Sequence, residues 1–202
     1  MIKPYNGAKA AKFSNREPLP RGAYVLQIVG AKVESYDWVQ KLVLAVDVHE
    51  GEYKGFFDND FKNNTNEDRK WRGTYRINVP NEGSQYFASH RKSFNNLIAC
   101  LEESNSGYHW DWDETKLKGK LLGGLWGNVE YSFENESKKT ITGWKTECRF
   151  VTDITSIREG TFKLPEDKPL ANKPAENNGI FAAVHASGID IVADDKEDDL
   201  PF

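Results

Sequence analysis

The sequence predicts a mainly β protein: a small five-stranded barrel carrying one helix and followed by a disordered acidic tail. Three observations predict it. Long stretches alternate apolar with polar residues, one window changes to helical spacing, and after residue 163 the composition collapses into Pro, Asn, Lys and acid.

Residues 1–20 carry Lys3, Lys9, Lys12 and Arg16 without periodicity and read as a basic arm. The folded body is expected over 21–163. "GAYVLQIVGAKVE" (22–34) sets Tyr24, Leu26 and Ile28 against Val25, Gln27 and Val29. "WVQKLVLAVDVHE" (38–50) sets Trp38, Gln40, Leu42, Leu44, Val46 and Val48 against Lys41, Val43, Ala45 and Asp47. Both read as long strands joined by a tight turn at "SYD". "GEYKGFFDNDFKNN" reads as a turn-rich, aromatic connection, and "GTYRINVP" (73–80) as a short third strand stopped by Pro80.

From Ser84 the period changes: Phe87, Phe94, Leu97, Ile98 and Leu101 form the apolar stripe of an amphipathic helix, with Ser84 as N-cap and "ESNSG" as stop. Two further strands follow. "LLGGLWGNVEYSFEN" (121–135) puts Leu121, Leu125, Val129, Tyr131 and Phe133 on one side and leaves Trp126 outside that row. "TGWKTECRFVTDITSI" (142–157) alternates Trp144, Cys148, Phe150 and Ile154 against Lys145, Glu147 and Arg149. Gly123, Gly124 and Gly127 suit a sharply coiled sheet or a bulge. Three strands, a helix and two strands is the element order of an OB-fold, a five-stranded Greek-key barrel with a helix between strands 3 and 4.

The 202 residues are enough for one core without disulfide or metal staples. Cys100 and Cys148 are the only cysteines and form no zinc-binding pattern, and the four histidines are scattered, so neither a metal nor a cofactor is expected. No stretch has the length of a membrane span and the first 20 residues lack the apolar core of a signal peptide, which predicts a cytoplasmic protein without a membrane partner. The formal charge of −4 conceals an asymmetry: from Leu164 onward nine acids face three lysines, whereas the rest carries 24 bases and 22 acids. Residues 164–193 read as a flexible linker and 194–202 as an acidic tip. Within the linker, "GIFAAVHASGIDIV" (179–192) is too apolar for a pure spacer; it either docks on the body or forms a second recognition patch.

A barrel of this kind binds single strands across strands 2 and 3 and with the loops joining strands 1 to 2 and 4 to 5. Such binding needs cations for phosphates and flat rings for unstacked bases. "FKNNTNEDRKWRGTYRINVP" (61–80) supplies Lys62, Arg69, Lys70, Arg72 and Arg76 with Trp71 and Tyr75 threaded between them. The first connection adds Tyr36 and Trp38, the last adds Lys138, Lys139 and Trp144, and Trp126 is a further outward ring. The structural alternative buries Trp71, Tyr75 or Trp38 in the core. A rival enzyme reading places a divalent metal on Asp111, Asp113 and Glu114 of "YHWDWDETKLKGK", with Asp58 and Asp60 nearby, as in a metal-dependent nuclease. Another rival is an acidic DNA mimic that binds enzymes but no DNA.

The last residues, "DDKEDDLPF", resemble the tip of bacterial and phage single-stranded-DNA-binding proteins, which ends in two acids, an apolar residue, Pro and Phe; Asp198, Asp199, Leu200, Pro201 and Phe202 match it position by position. The body is similar to a set of phage proteins carrying motifs such as "ESNSGYHWDWDE" and "LKGK". The resemblance implies a non-enzymatic protein that coats single-stranded DNA in a bacterial host cell during phage replication, recombination or repair. It implies a tip that docks replication and recombination enzymes, an annealing recombinase among them; monomer and homo-oligomer are both compatible. The chemistry agrees: Phe202 can enter an apolar pocket while its α-carboxylate meets an Arg or Lys, and the upstream acids steer the tail to a basic patch.

Overall fold

The computed structural model describes residues 17–66, 68–135 and 137–171; the arm before Glu17, the apolar stretch at 179–192 and the acidic tip lie outside the described residues. The body contains strands β1 (Gly22–Ser35), β2 (Gln40–Val48), β3 (Thr74–Asn78), β4 (Leu121–Glu134) and β5 (Thr140–Thr152). Its helices are α1 (Phe56–Asn63), α2 (Phe87–Ser104) and α3 (Ile154–Glu159), with a 3-10 turn at Glu114–Leu117. The strands form one antiparallel sheet in the order β3-β2-β1-β4-β5. Among the described residues no ladder joins β3 to β5, so the sheet is open where a closed barrel was expected, although the two edges approach one another.

Period-2 alternation sends Leu26 and Ile28 of β1, Leu42, Leu44, Val46 and Val48 of β2, and Ile77 of β3 to one side. There they meet Phe94, Leu97, Cys100 and Leu101 of α2, whose stripe follows the helical spacing read from the sequence. Helix α2 starts at Phe87 rather than next to Ser84. Ser84 instead begins the lead-in turn, its carbonyl accepting from Phe87 N at 3.0 Å and its hydroxyl from Tyr86 N at 3.2 Å.

The stretch expected as a turn-rich connection contains α1. Its first-turn donor is capped from β2: the Asp47 carboxylate accepts from Phe57 N at 2.9 Å and from Val48 N at 2.8 Å. A cap ten residues upstream leaves no local N-cap signal, and the Asn- and Asp-rich sequence reads as turn. Phe57 then fills the core beside Gly73, where an added Cβ would lie 2.3 Å from Val46 O.

In β4 the inward row is Leu122, Gly124 and Trp126, the reverse of the row predicted. Trp126 is only 3% exposed and packs edge-on against Tyr24 at 5.8 Å. A bulge opposite Leu125 and Trp126 leaves Arg149 of β5 outside the pairing, so Trp126 faces Cys148 while Leu125 faces Phe150 on the other side. The predicted linker is also shorter than expected at its start. Residues 164–170 lie along β4, with Lys168 N donating to Asn128 O and Glu130 N to Lys168 O, each at 2.9 Å, and Leu170 N to the buried Glu130 carboxylate at 3.2 Å.

Candidate nucleic-acid interface

Residues opposite one another in an antiparallel ladder share a face. Val43 of β2 pairs with Lys32 of β1 and with Arg76 of β3, and Lys41 pairs with Glu34 and Asn78. The sheet face turned away from the core therefore carries Lys32, Lys41 and Arg76 around Val43, which is shut from solvent. At the β1–β2 hairpin this face ends in two rings. Lys41 Nζ lies 5.0 Å from the Tyr36 ring centre and 5.7 Å from that of Trp38, and Trp38 is 59% exposed. Glu34 organises the cluster: its carboxylate meets Lys32 Nζ at 2.9 Å and accepts from the Tyr36 hydroxyl at 3.0 Å. Arg76 donates to the Thr74 hydroxyl at 3.0 Å and is exposed. Cations and an open indole on one strand face can hold a phosphate backbone and stack a base.

The 61–76 stretch behaves differently from its prediction. Trp71 points inward, its indole N–H donating to Val46 O at 3.1 Å and Gly73 O at 3.0 Å and its ring 5.7 Å from Phe61. Tyr75 takes the inner side of β3 with Ile77, and burial pushes its phenol pKa upward. Trp71, Tyr75 and Trp126, predicted as base-stacking rings, are thus packing residues, because each lies in the inward set of its segment. Of the cations, Arg72 faces Asp60 at 3.5 Å and donates to Glu17 O at 3.2 Å, and Lys62 meets Asp58 at 2.6 Å. Arg69 lies 4.7 Å from the Phe61 ring centre, and Lys70 is half-buried. The unforeseen α1 supplies both carboxylates, so it draws Lys62 and Arg72 away from an outward track.

The β4–β5 hairpin lies at the opposite end of the sheet, since β4 runs on past its pairing with Gly22 while β1 departs in the other direction. Lys138 and Lys139 are exposed near its turn, and Trp144 is 50% exposed, in register with Glu130. The other face of this ribbon holds Tyr131 and Phe133 with ring centres 6.1 Å apart and planes within 20°. Lys32, Lys41, Tyr131 and Phe133 are not among the residues that the sequence singles out for binding. Alternation already placed Lys41 on the polar side of its strand, but its neighbours follow only from the register.

No protein-family model matches the chain, and no curated protein matches it. Two of the three carboxylates of the rival metal site are engaged: Lys116 contacts Asp111 closely and lies 3.5 Å from Asp113. The Lys116 hydrogen bond lowers the Asp111 carboxyl pKa, and the Thr115 hydroxyl does the same for Asp113. Among the described residues no three His, Cys, Asp or Glu side chains are grouped to hold a metal. No helix among them is long and apolar enough to cross a membrane.

Proposed function

We propose that this chain is a sequence-tolerant single-stranded-DNA-binding protein built on an OB-type barrel. The strand order, the helix between β3 and β4 and the approach of β3 to β5 support the fold reading. The observation that carries the function is the Tyr36, Trp38 and Lys41 cluster sharing a strand face with Lys32 and Arg76. Phosphates lie along the three cations and a base stacks on Trp38; the β4–β5 hairpin, with Lys138, Lys139 and Trp144, offers a second grip. The protein does no chemistry on the strand. The tip at Asp198–Phe202 recruits replication and recombination enzymes, as its resemblance implies.

Fluorescence anisotropy with labelled oligo-dT at two salt concentrations, followed by a gel for cleavage in magnesium, tests this reading. Binding that weakens with salt and leaves the strand intact supports it. Absence of binding at low salt overturns it, and so does magnesium-dependent cleavage abolished by Asp113→Asn.

A further inference from the structure

A cavity of about 350 Å³ opens beside α1, lined by the acids Glu17, Glu52 and Asp60, the aromatic residues Tyr53 and Phe56, Asn59 and Lys54; Arg72 already holds the Asp60 carboxylate at 3.5 Å, so Glu17 and Glu52 are the acids offered to a further cation. Rings flanked by carboxylates are chemistry for an ammonium or guanidinium group: the ring faces attract the cation and the acids accept its hydrogen bonds. A phosphate would meet repulsion there.

The chain itself carries a matching segment. Residues 1–16 hold Lys3, Lys9, Lys12 and Arg16 and no Asp or Glu. They join the body at Glu17, which is part of the cavity wall. Leu19 is buried, Arg72 donates to Glu17 O at 3.2 Å, and Pro18 favours an extended Glu17, so the point where the arm meets the body is fixed at the cavity. Lys12 stands five residues before Glu17, and at about 3.3–3.6 Å per residue the intervening chain can cross the mouth and turn back.

We propose that this cavity is the docking site of the chain's own basic arm and takes a Lys or Arg side chain from residues 9–16. The proposal stands without the nucleic-acid reading, because its occupant is the chain itself. Where that reading also holds, a bound strand competes with the cavity for the same cations.

Limited trypsin digestion of the full chain, with mass spectrometry of the cuts after Lys9, Lys12 and Arg16, tests it. At low salt these cuts should be about three- to tenfold slower in the native chain than in Glu52→Lys, the difference expected for two or three partly exposed ion pairs. High salt should erase the difference. Carbodiimide should couple Lys9 or Lys12 to Glu52 within one chain. Equal rates at both salts together with no coupling to the arm overturn the proposal. Protection that grows with protein concentration also overturns it, assigning the occupant to a second copy. Oligonucleotide is absent throughout, so this failure is distinct from a failure to bind DNA.

Discussion

Replacing Trp38 by Ala removes an indole that is 59% exposed and lies at a hairpin turn, so little buried surface is lost. The folding free energy should change by about 0.5 kcal/mol or less. Loss of one base stack, by contrast, costs about 1–3 kcal/mol of binding, or about 5- to 150-fold in affinity. Stacking and charge can be separated in the same assay. With Lys32, Lys41 and Arg76 on one face, that face should contribute a slope of log affinity against log salt of about −2 for a single strand, and each cation removed should flatten the slope by about 0.7. Trp38→Ala should therefore lower affinity for labelled oligo-dT at every salt concentration while keeping the slope. Lys41→Ala should flatten it and also loosen the two rings beneath the ammonium. Native-like melting with unchanged affinity in Trp38→Ala would refute the assignment of this face. An altered melting temperature would instead show that the indole is a packing residue.

Gly73→Ala should destabilise the fold by about 3 kcal/mol in urea unfolding, because its Cβ would meet Val46 O at 2.3 Å and Phe57 Cδ2 at 2.5 Å. Stability should also fall as pH rises from about 10 to about 12: burial pushes the Tyr24 phenol up to about 12 from an ordinary value of 10.0, so over that window the unfolded chain loses its proton before the native one. Phenolate absorbance recorded with circular dichroism should show Tyr24 ionising together with unfolding; ionisation near 10 in a folded protein would contradict its packing. Deleting residues 194–202 should tighten oligo-dT binding at low salt, since it removes five acids, offset by one lysine, that compete for the cationic face. Unchanged or weaker binding counts against competition by the tail.

The five strands and the long helix were legible because period-2 and 3.6-residue patterns are local, and the apolar sets of β1, β2 and α2 were read correctly side by side. β4 was misread because large apolar residues occur on both of its sides, Leu121 and Leu125 on one and Leu122 and Trp126 on the other. Leu125 is buried as well as Trp126, and the core side is set by the pairing with β1, where Leu122 stands opposite the core residue Leu26 and Gly124 opposite Tyr24, a property of two strands rather than one. The rings of 61–76 turned out to face inward for a related reason. Basic residues interleaved with rings in 61–76 gave a strong local signal, but period 2 in β3 turns Tyr75 inward and Arg76 outward, so a ring and its neighbouring cation cannot share a face. Trp38 in the β1–β2 turn and Lys41 at the start of β2 are a pair that can.

Helix α1 links the two charge systems. Its Asp58 and Asp60 hold Lys62 and Arg72, leaving the outward sheet face to Lys32, Lys41 and Arg76. The same helix brings Asp60 and Asn59 to the cavity that Glu17 and Glu52 complete. Apart from Glu34 on the sheet face and Lys54 at the cavity, cations and acids are therefore sorted between the two places. A phosphate backbone drawn to the sheet face is repelled from the cavity, and a cationic arm drawn to the cavity is kept off the sheet face. That sorting makes a specific demand. Reversing the charge of Glu52, which lines the cavity, should strengthen single-strand binding by freeing the arm, and the gain should vanish when residues 1–16 are removed. A gain that survives that removal would place the effect in the overall field of the protein rather than in the arm.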